Sequence, residues 1–256
     1  MKFRPCIDIH NGKVKQIVGG SLKDENDAVK ENFVSTQDAT YYADLYNKHN
    51  ITGGHIILLN SVDSPYYDIT KEQALMALEA YKGGLQVGGG INERNALFYL
   101  QFGASHVIVT SYVFSNGSIN IDNLIKLNRI VGKDHLVLDV SCRKRDGKYY
   151  IVTDRWQKFT EVELSEKTFY DLEKYCDEFL IHAVDVEGKA KGIEEEVATL
   201  LGKLKGMKIT YAGGIGSFED LDILKEKSKS KVDFTVGSAL DIFGGNMNFE
   251  KVIEYK

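Results

Sequence analysis

The chain has 256 residues, 43% of them hydrophobic and 27% charged, with a net charge of −5. That length and apolar content fit one barrel-sized domain with a large core, here residues 1–256. The acidic balance and the lack of a long basic run exclude nucleic acid as a partner. No apolar run approaches the roughly 18–20 residues that span a bilayer, so no membrane role is expected.

Phe3 to Ile9 reads as the first strand, with Asp8 at its end. Asn11 to Val34 is long and polar and reads as a loop of lid or ligand-binding size. Tyr41 to Asn50 has helical spacing, and His55 to Leu59 is a second strand. Thr70-Lys71-Glu72-Gln73 fits a capping box and opens a helix to about Tyr81. Leu85 to Gly88 is a third strand, followed by a helix to Phe102 for which Asn92 is the candidate cap. His106 to Thr110, His135 to Ser141, Phe179 to Val184, Lys208 to Tyr211 and Val232 to Val236 are further strands. Helices are expected at Asn120–Val131, Ser165–Cys176, Ile193–Leu204, Ser217–Ser228 and from Asn248, with a short helical piece at Ala239–Phe243. Asp146-Gly147 marks a hairpin that ends near Trp156.

Eight short apolar strands alternating with helices indicate a parallel sheet covered on both faces. In about 250 residues this fits an α/β fold, a single (β/α)8 barrel. A doubly wound open sheet is the alternative, but it does not call for the duplication seen here. Val87-Gly88-Gly89-Gly90-Ile91 recurs as Tyr211-Ala212-Gly213-Gly214-Ile215, about half a chain later. Each copy has a downstream partner, Thr110-Ser111 for the first and Gly237-Ser238 for the second. Glycines let backbone N–H groups close on an anion, and a helix starting there adds its dipole. The repeat therefore predicts two half-barrels with two phosphate cradles at the rim.

Asp8 and Asp139 end strands one and five, also about half a chain apart. A pseudo-twofold sets them facing each other across the mouth, crosswise to the cradles. Two carboxylates in different environments can serve as general acid and general base. His182 ends strand six and can bind substrate or orient a carboxylate. Trp156 is the single tryptophan and can stack on a planar ring. Lys13, Lys15 and Arg143 lie near the acids in sequence and can contact phosphate, with solvation at the surface as their default role. The odd set Cys6, Cys142 and Cys176 reads as reduced, packed thiols in a cytoplasmic protein. Met1 to Pro5 shows no signal or transit pattern. The histidines lack metal-ligand spacing, so neither a metal nor a cofactor is expected.

These residues resemble a family. Cys6-Ile7-Asp8-Ile9-His10-Asn11-Gly12-Lys13-Val14-Lys15 is similar to the first strand and loop of the phosphoribosylformimino-5-aminoimidazole carboxamide ribotide isomerases of histidine biosynthesis. The two Gly-Gly turns and Val236-Gly237-Ser238-Ala239 look like that family's phosphate loops. Leu138-Asp139-Val140-Ser141-Cys142-Arg143-Lys144, Phe179-Leu180-Ile181-His182-Ala183 with Asp185-Val186-Glu187-Gly188, and Leu240-Asp241-Ile242-Phe243-Gly244-Gly245-Asn246 resemble its fungal and other eukaryotic members. The resemblance implies an Amadori rearrangement of a ribotide with two phosphates. It also implies that Asp139 protonates the ribose ring oxygen and Asp8 removes the C2′ proton. Gly89, Gly90, Thr110, Ser111, Gly213, Gly214, Gly237 and Ser238 would hold the phosphates, and Trp156 and His182 would contact substrate. Three features depart from the bacterial pattern: His182 stands for Thr, Leu58-Leu59-Asn60 lacks an Asp, and Glu187-Gly188 replaces Asp-Gly. A monomer acting on a small molecule is expected. Two rivals stay open, namely the related ammonia-using cyclase and a non-catalytic barrel that senses a phosphorylated metabolite.

Overall fold

Short runs such as Leu136-Val137-Leu138 are buried on both faces, as a strand needs when it lies between a barrel core and a layer of helices. Eight such strands form the barrel: β1 (Cys6–His10), β2 (Gly54–Leu58), β3 (Leu85–Gly88), β4 (Val107–Val109), β5 (Leu136–Asp139), β6 (Glu178–His182), β7 (Lys208–Ala212) and β8 (Asp233–Thr235). They pair in parallel and in chain order. The ring closes where Phe3 bridges Phe234; the Arg4 N–H donates to the Phe234 carbonyl at 2.8 Å, and the Phe234 N–H to the Lys2 carbonyl at 3.0 Å. The fold is the expected (β/α)8 barrel. It is seen in a computed structural model that describes residues 1–18, 21 and 30–255.

The helices are α1 (Ala39–Lys48), α2 (Tyr67–Ala80), α3 (Ala96–Phe102), α4 (Ile121–Val131), α5 (Glu166–Leu172), α6 (Glu195–Leu201), α7 (Phe218–Ser228) and α8 (Phe249–Glu254). Asn120, Ser165, Ser217 and Asn248 each accept the N–H three residues on, so a side-chain oxygen satisfies one orphan donor of the first turn. No described helix is long and apolar enough to cross a membrane.

Four local expectations fail for identifiable reasons. Lys13–Ile17 and Glu31–Val34 are antiparallel strands that extend the sheet from β1, so much of the expected loop is a ribbon. The rest of that loop, 19–20 and 22–29, lies outside the described residues. The excursion after β5 has a third strand, Lys158–Glu163, which pairs back on Lys148–Thr153 beyond Trp156. Asn92 does not cap α3. Its Oδ1 accepts from the Arg94 N–H in a turn, and the helix starts at Ala96.

Thr70 does not cap α2 either, because the helix begins at Tyr67. Buried Thr70 instead donates to Asn60 Oδ1 at 2.7 Å and accepts from the Gly12 N–H at 3.0 Å. Asn60 also accepts from the Asn11 N–H, so one cluster ties the turn after β1 to β2 and α2. Thr70→Val removes both bonds and strands the Gly12 donor. The expected loss is about 2 kcal/mol in urea unfolding.

Alternation along the strands sets what faces the barrel axis. On β6, Glu178 bonds Gln86 and Thr210 at the foot, Leu180 packs with Ile108 and Val137 in the middle, and His182 reaches the mouth. On β5 the same period of two carries Val137 and then Asp139.

Candidate active site

Asp139 lines a cavity of about 430 Å³ with Gly89, Gly90, Thr110, Ser111 and Trp156. Asp8 lines a smaller one of about 20 Å³ with Gly213, Gly214, Gly237, Ser238 and Glu187. His182 borders both cavities and sits between the acids. The rim thus gathers both acids, His182, Trp156 and the residues of the two glycine turns with their downstream partners. Each acid sits beside one cradle instead of midway between the two.

Asp139 is held tightly. Its Oδ2 accepts from Thr110 Oγ1 at 3.1 Å. Its Oδ1 accepts from the Ser141 N–H at 2.9 Å and from the Ser141 hydroxyl. Ser141 is fully buried, with Oγ 3.1 Å from His182 Nδ1, and it accepts the His182 backbone N–H at 3.2 Å. His182 Nδ1 stands 4.0 Å from Asp139 Oδ1, so the serine hydroxyl bridges the two groups. Burial alone would raise the Asp139 carboxyl, but His182 and the two Ser141 bonds outweigh it and hold the group below the usual carboxylate range. The same contact works on the histidine. Burial disfavours the imidazolium, yet Asp139, with Glu187 and Asp8 further off, raises it.

Among the described residues, Asp8 has no such donors. Burial pushes it up to about 7, with Glu187 adding and His182 opposing. Two carboxylates of one mouth are thus driven apart, the usual mark of an acid–base pair. His55 lies edge-on to His182 at 5.7 Å. Burial, then the charge of His182, lowers it to about 3, so it stays neutral. Burial also raises Glu187, whose buried Oε2 has no hydrogen-bond partner among the described residues.

The Trp156 ring lies 5.3 Å from the His182 ring. It is carried by three successive left-handed residues, Asp154, Arg155 and Trp156, with φ of 50°, 57° and 67°. Each costs roughly 1–2 kcal/mol for an L-residue, a strain typical of segments that shape a site. Ser111 Oγ accepts the Asp154 N–H at 3.1 Å and ties this segment to the first cradle.

In the second cradle the N–H groups of Gly213, Gly214, Gly237 and Ser238 have no acceptor among the described residues. They are the donors that an anion would meet. The expected helix contribution differs. Ser217 Oγ accepts the Asp220 N–H, and Asp220 Oδ2 accepts the Gly216 N–H, so the start of α7 is already capped. Nor do Lys15 and Arg143 wait for phosphate. Lys15 pairs with Glu31 and contacts His10, and Arg143 pairs with Asp185 at 2.9 Å.

Sequence reasoning did not select Ser141 or His55 and noted Glu187 only as a departure. Ser141 had a signal, since it stands two residues beyond Asp139 on the same face of an extended chain. His55 had the equivalent signal on β2, in step with Ile57.

A closed (β/α)8 barrel with paired acids and two glycine cradles at the C-terminal rim defines a class, the barrel enzymes that act on phosphorylated small molecules. Within it, this chain belongs to the histidine biosynthesis protein family, whose profile matches residues 2–247. It is 54% identical to a chloroplastic 1-(5-phosphoribosyl)-5-((5-phosphoribosylamino)methylideneamino) imidazole-4-carboxamide isomerase of Medicago truncatula, over 100% of this chain and 81% of that protein. It is 46% identical to the isomerase of the same name from Yarrowia lipolytica, over 99% of this chain and 97% of the relative. The Saccharomyces cerevisiae isomerase is also 46% identical, over 96% and 94%.

Proposed function

We infer that this chain catalyses the isomerisation for which its relatives are named, turning an aminoaldose ribotide into its aminoketose. The reading rests on one observation above the others: the mouth holds two acids with opposed electrostatics, each beside one cradle, and His182 between them. A substrate with a phosphate at each end lies across that mouth with one phosphate in each cradle, which orients a long flexible molecule. Trp156 covers its planar ring.

Asp139 gives a proton to the ribofuranose ring oxygen, the C1′–O bond opens, and an imine forms. Asp8 takes the C2′ proton. Its conjugate acid near 7 is well matched to that task at physiological pH. The resulting enol becomes the ketone when Asp8 returns its proton to C1′ and the Asp139 carboxylate takes back the 2′-hydroxyl proton. The reaction is internal and redox-neutral, so it calls for no cofactor. The chain acts as a cytoplasmic monomer in this reading.

The test is to incubate the purified chain with the aminoaldose alone and follow ketose formation by absorbance. Conversion without ammonia or a glutaminase partner is the expected result. A need for ammonia would select the cyclase, and tight binding without turnover would select a sensor.

A further inference from the structure

On the isomerase reading, Asp139 must carry a proton at the moment of ring opening. In the resting site it is surrounded by donors: Thr110 Oγ1, the Ser141 N–H and the Ser141 hydroxyl all point hydrogen at it. Such a carboxylate is stabilised in its charged form and is a poor store for a proton. A better store lies one hydroxyl away, since Ser141 Oγ is within hydrogen-bond reach of both Asp139 Oδ1 and His182 Nδ1.

We propose that Ser141 is a proton-relay residue that charges Asp139 from the His182 imidazolium. As substrate docks, the Ser141 Oγ–H proton passes to Asp139 Oδ1 while the His182 Nδ1 proton passes to Ser141 Oγ. One O–H bond forms on the carboxyl, one N–H bond is lost from the ring, and the hydroxyl is regenerated. The pair goes from opposite charges to neutral with no proton gained or lost. Asp139 then protonates the ring oxygen. When it later takes the 2′-hydroxyl proton, the same path run backwards recharges His182. Full burial of Ser141 keeps bulk water from short-circuiting the path.

The surroundings of His182 suit a ring that is charged at rest. It faces Asp139 on β5, Asp8 on β1 and Glu187 on the turn after β6, and the rings of neutral His55 on β2 and of Trp156 lie 5.7 and 5.3 Å from its own. Three carboxyl groups around one imidazole favour the imidazolium, and no cation among these neighbours opposes it.

The test is Ser141→Ala on the full chain, assayed for steady-state isomerisation across pH. Expected is a kcat lower by roughly 100-fold with KM changed by less than about threefold, the pattern of a step lost from the transition state alone. The alkaline limb of the kcat profile should move to lower pH, because the acid is then Asp139 without its reservoir. Ser141→Thr, which keeps the hydroxyl, should restore most of kcat and the limb. His182→Gln should remove the limb, and Ser141→Ala in that background should cost little more. Wild-type kcat and an unmoved limb in Ser141→Ala, or an unmoved limb in His182→Gln, would overturn the relay. Failure of the wild-type chain to isomerise would overturn the isomerase reading instead, so the two failures are separable.

Discussion

Asp8→Asn and Asp139→Asn should each lose at least about a thousandfold in kcat while KM stays within a few fold, yet shift stability in opposite directions. Asp8 is raised by burial from 3.8 to about 7, so the folded state pays to ionise it. Below about pH 4 it is protonated folded or unfolded, and no cost arises. Between 4 and 7 the folded state holds the extra proton, and stability falls as pH climbs through that window. Above 7 the whole cost is present, and an Asn removes it. Full burial would set the gain near 4 kcal/mol, and partial exposure of Asp8 reduces it to about 2. Asp8→Asn should therefore be dead and more stable at pH 8, with the difference vanishing toward pH 4. Asp139 runs the other way. Its carboxyl is held low, so its contribution is present above the ordinary carboxylate range and is lost as pH falls through the lowered value. Replacing it forfeits charge-assisted bonds to Ser141, for a loss of about 2 kcal/mol at pH 7. Chemical denaturation at pH 4 and pH 8 checks both signs. An Asp8→Asn variant that turns over at the wild-type rate would remove Asp8 as the base.

The architecture was legible because strand and helix alternate with distinct periods, and because Gly89 and Gly214 punctuate matched halves. Asp139 stood out as a polar residue at the end of an apolar run, and Asp8 as its counterpart about half a chain away, although Asp8 lies in the middle of β1 and not at its end. What the sequence concealed depends on contacts between distant segments. Thr70 has the spacing of a capping box, but its hydroxyl serves Asn60 and Gly12, and nothing local announces that partner. Lys158–Glu163 is polar and alternates weakly, since its ladder partner Lys148–Thr153 stabilises it more than its own burial does. The link from Asp139 through Ser141 to His182 needs β5 and β6 side by side, which a linear reading supplies only after the barrel is built.

The largest effect on architecture is expected at Gly214. Its φ is +78°, a region that costs an L-residue roughly 1–2 kcal/mol. A Cβ there would also sit 2.0 Å from the Gly192 carbonyl oxygen, which is backbone and cannot swing aside. The Gly214 carbonyl accepts the Gly192 N–H at 3.1 Å, so the two turns are locked together and must move as one. Adding overpacking of about 1–3 kcal/mol, Gly214→Ala should lose about 2–5 kcal/mol. That corresponds to a fall in Tm of roughly 4–20 °C for a chain of this size. The shift also spreads the second cradle, so affinity for the bis-phosphorylated ligand should fall by more than about tenfold. Gly90→Ala is the internal control. It has a similar φ of +69°, but its nearest neighbour is Val62 Cγ2 at 3.5 Å, an ordinary contact. It should lose only the conformational cost, about 1–2 kcal/mol. Paired thermal melts and ligand titrations of the two variants separate strain from clash. Equal losses in both would mean that the Gly192–Gly214 contact contributes nothing to the cradle.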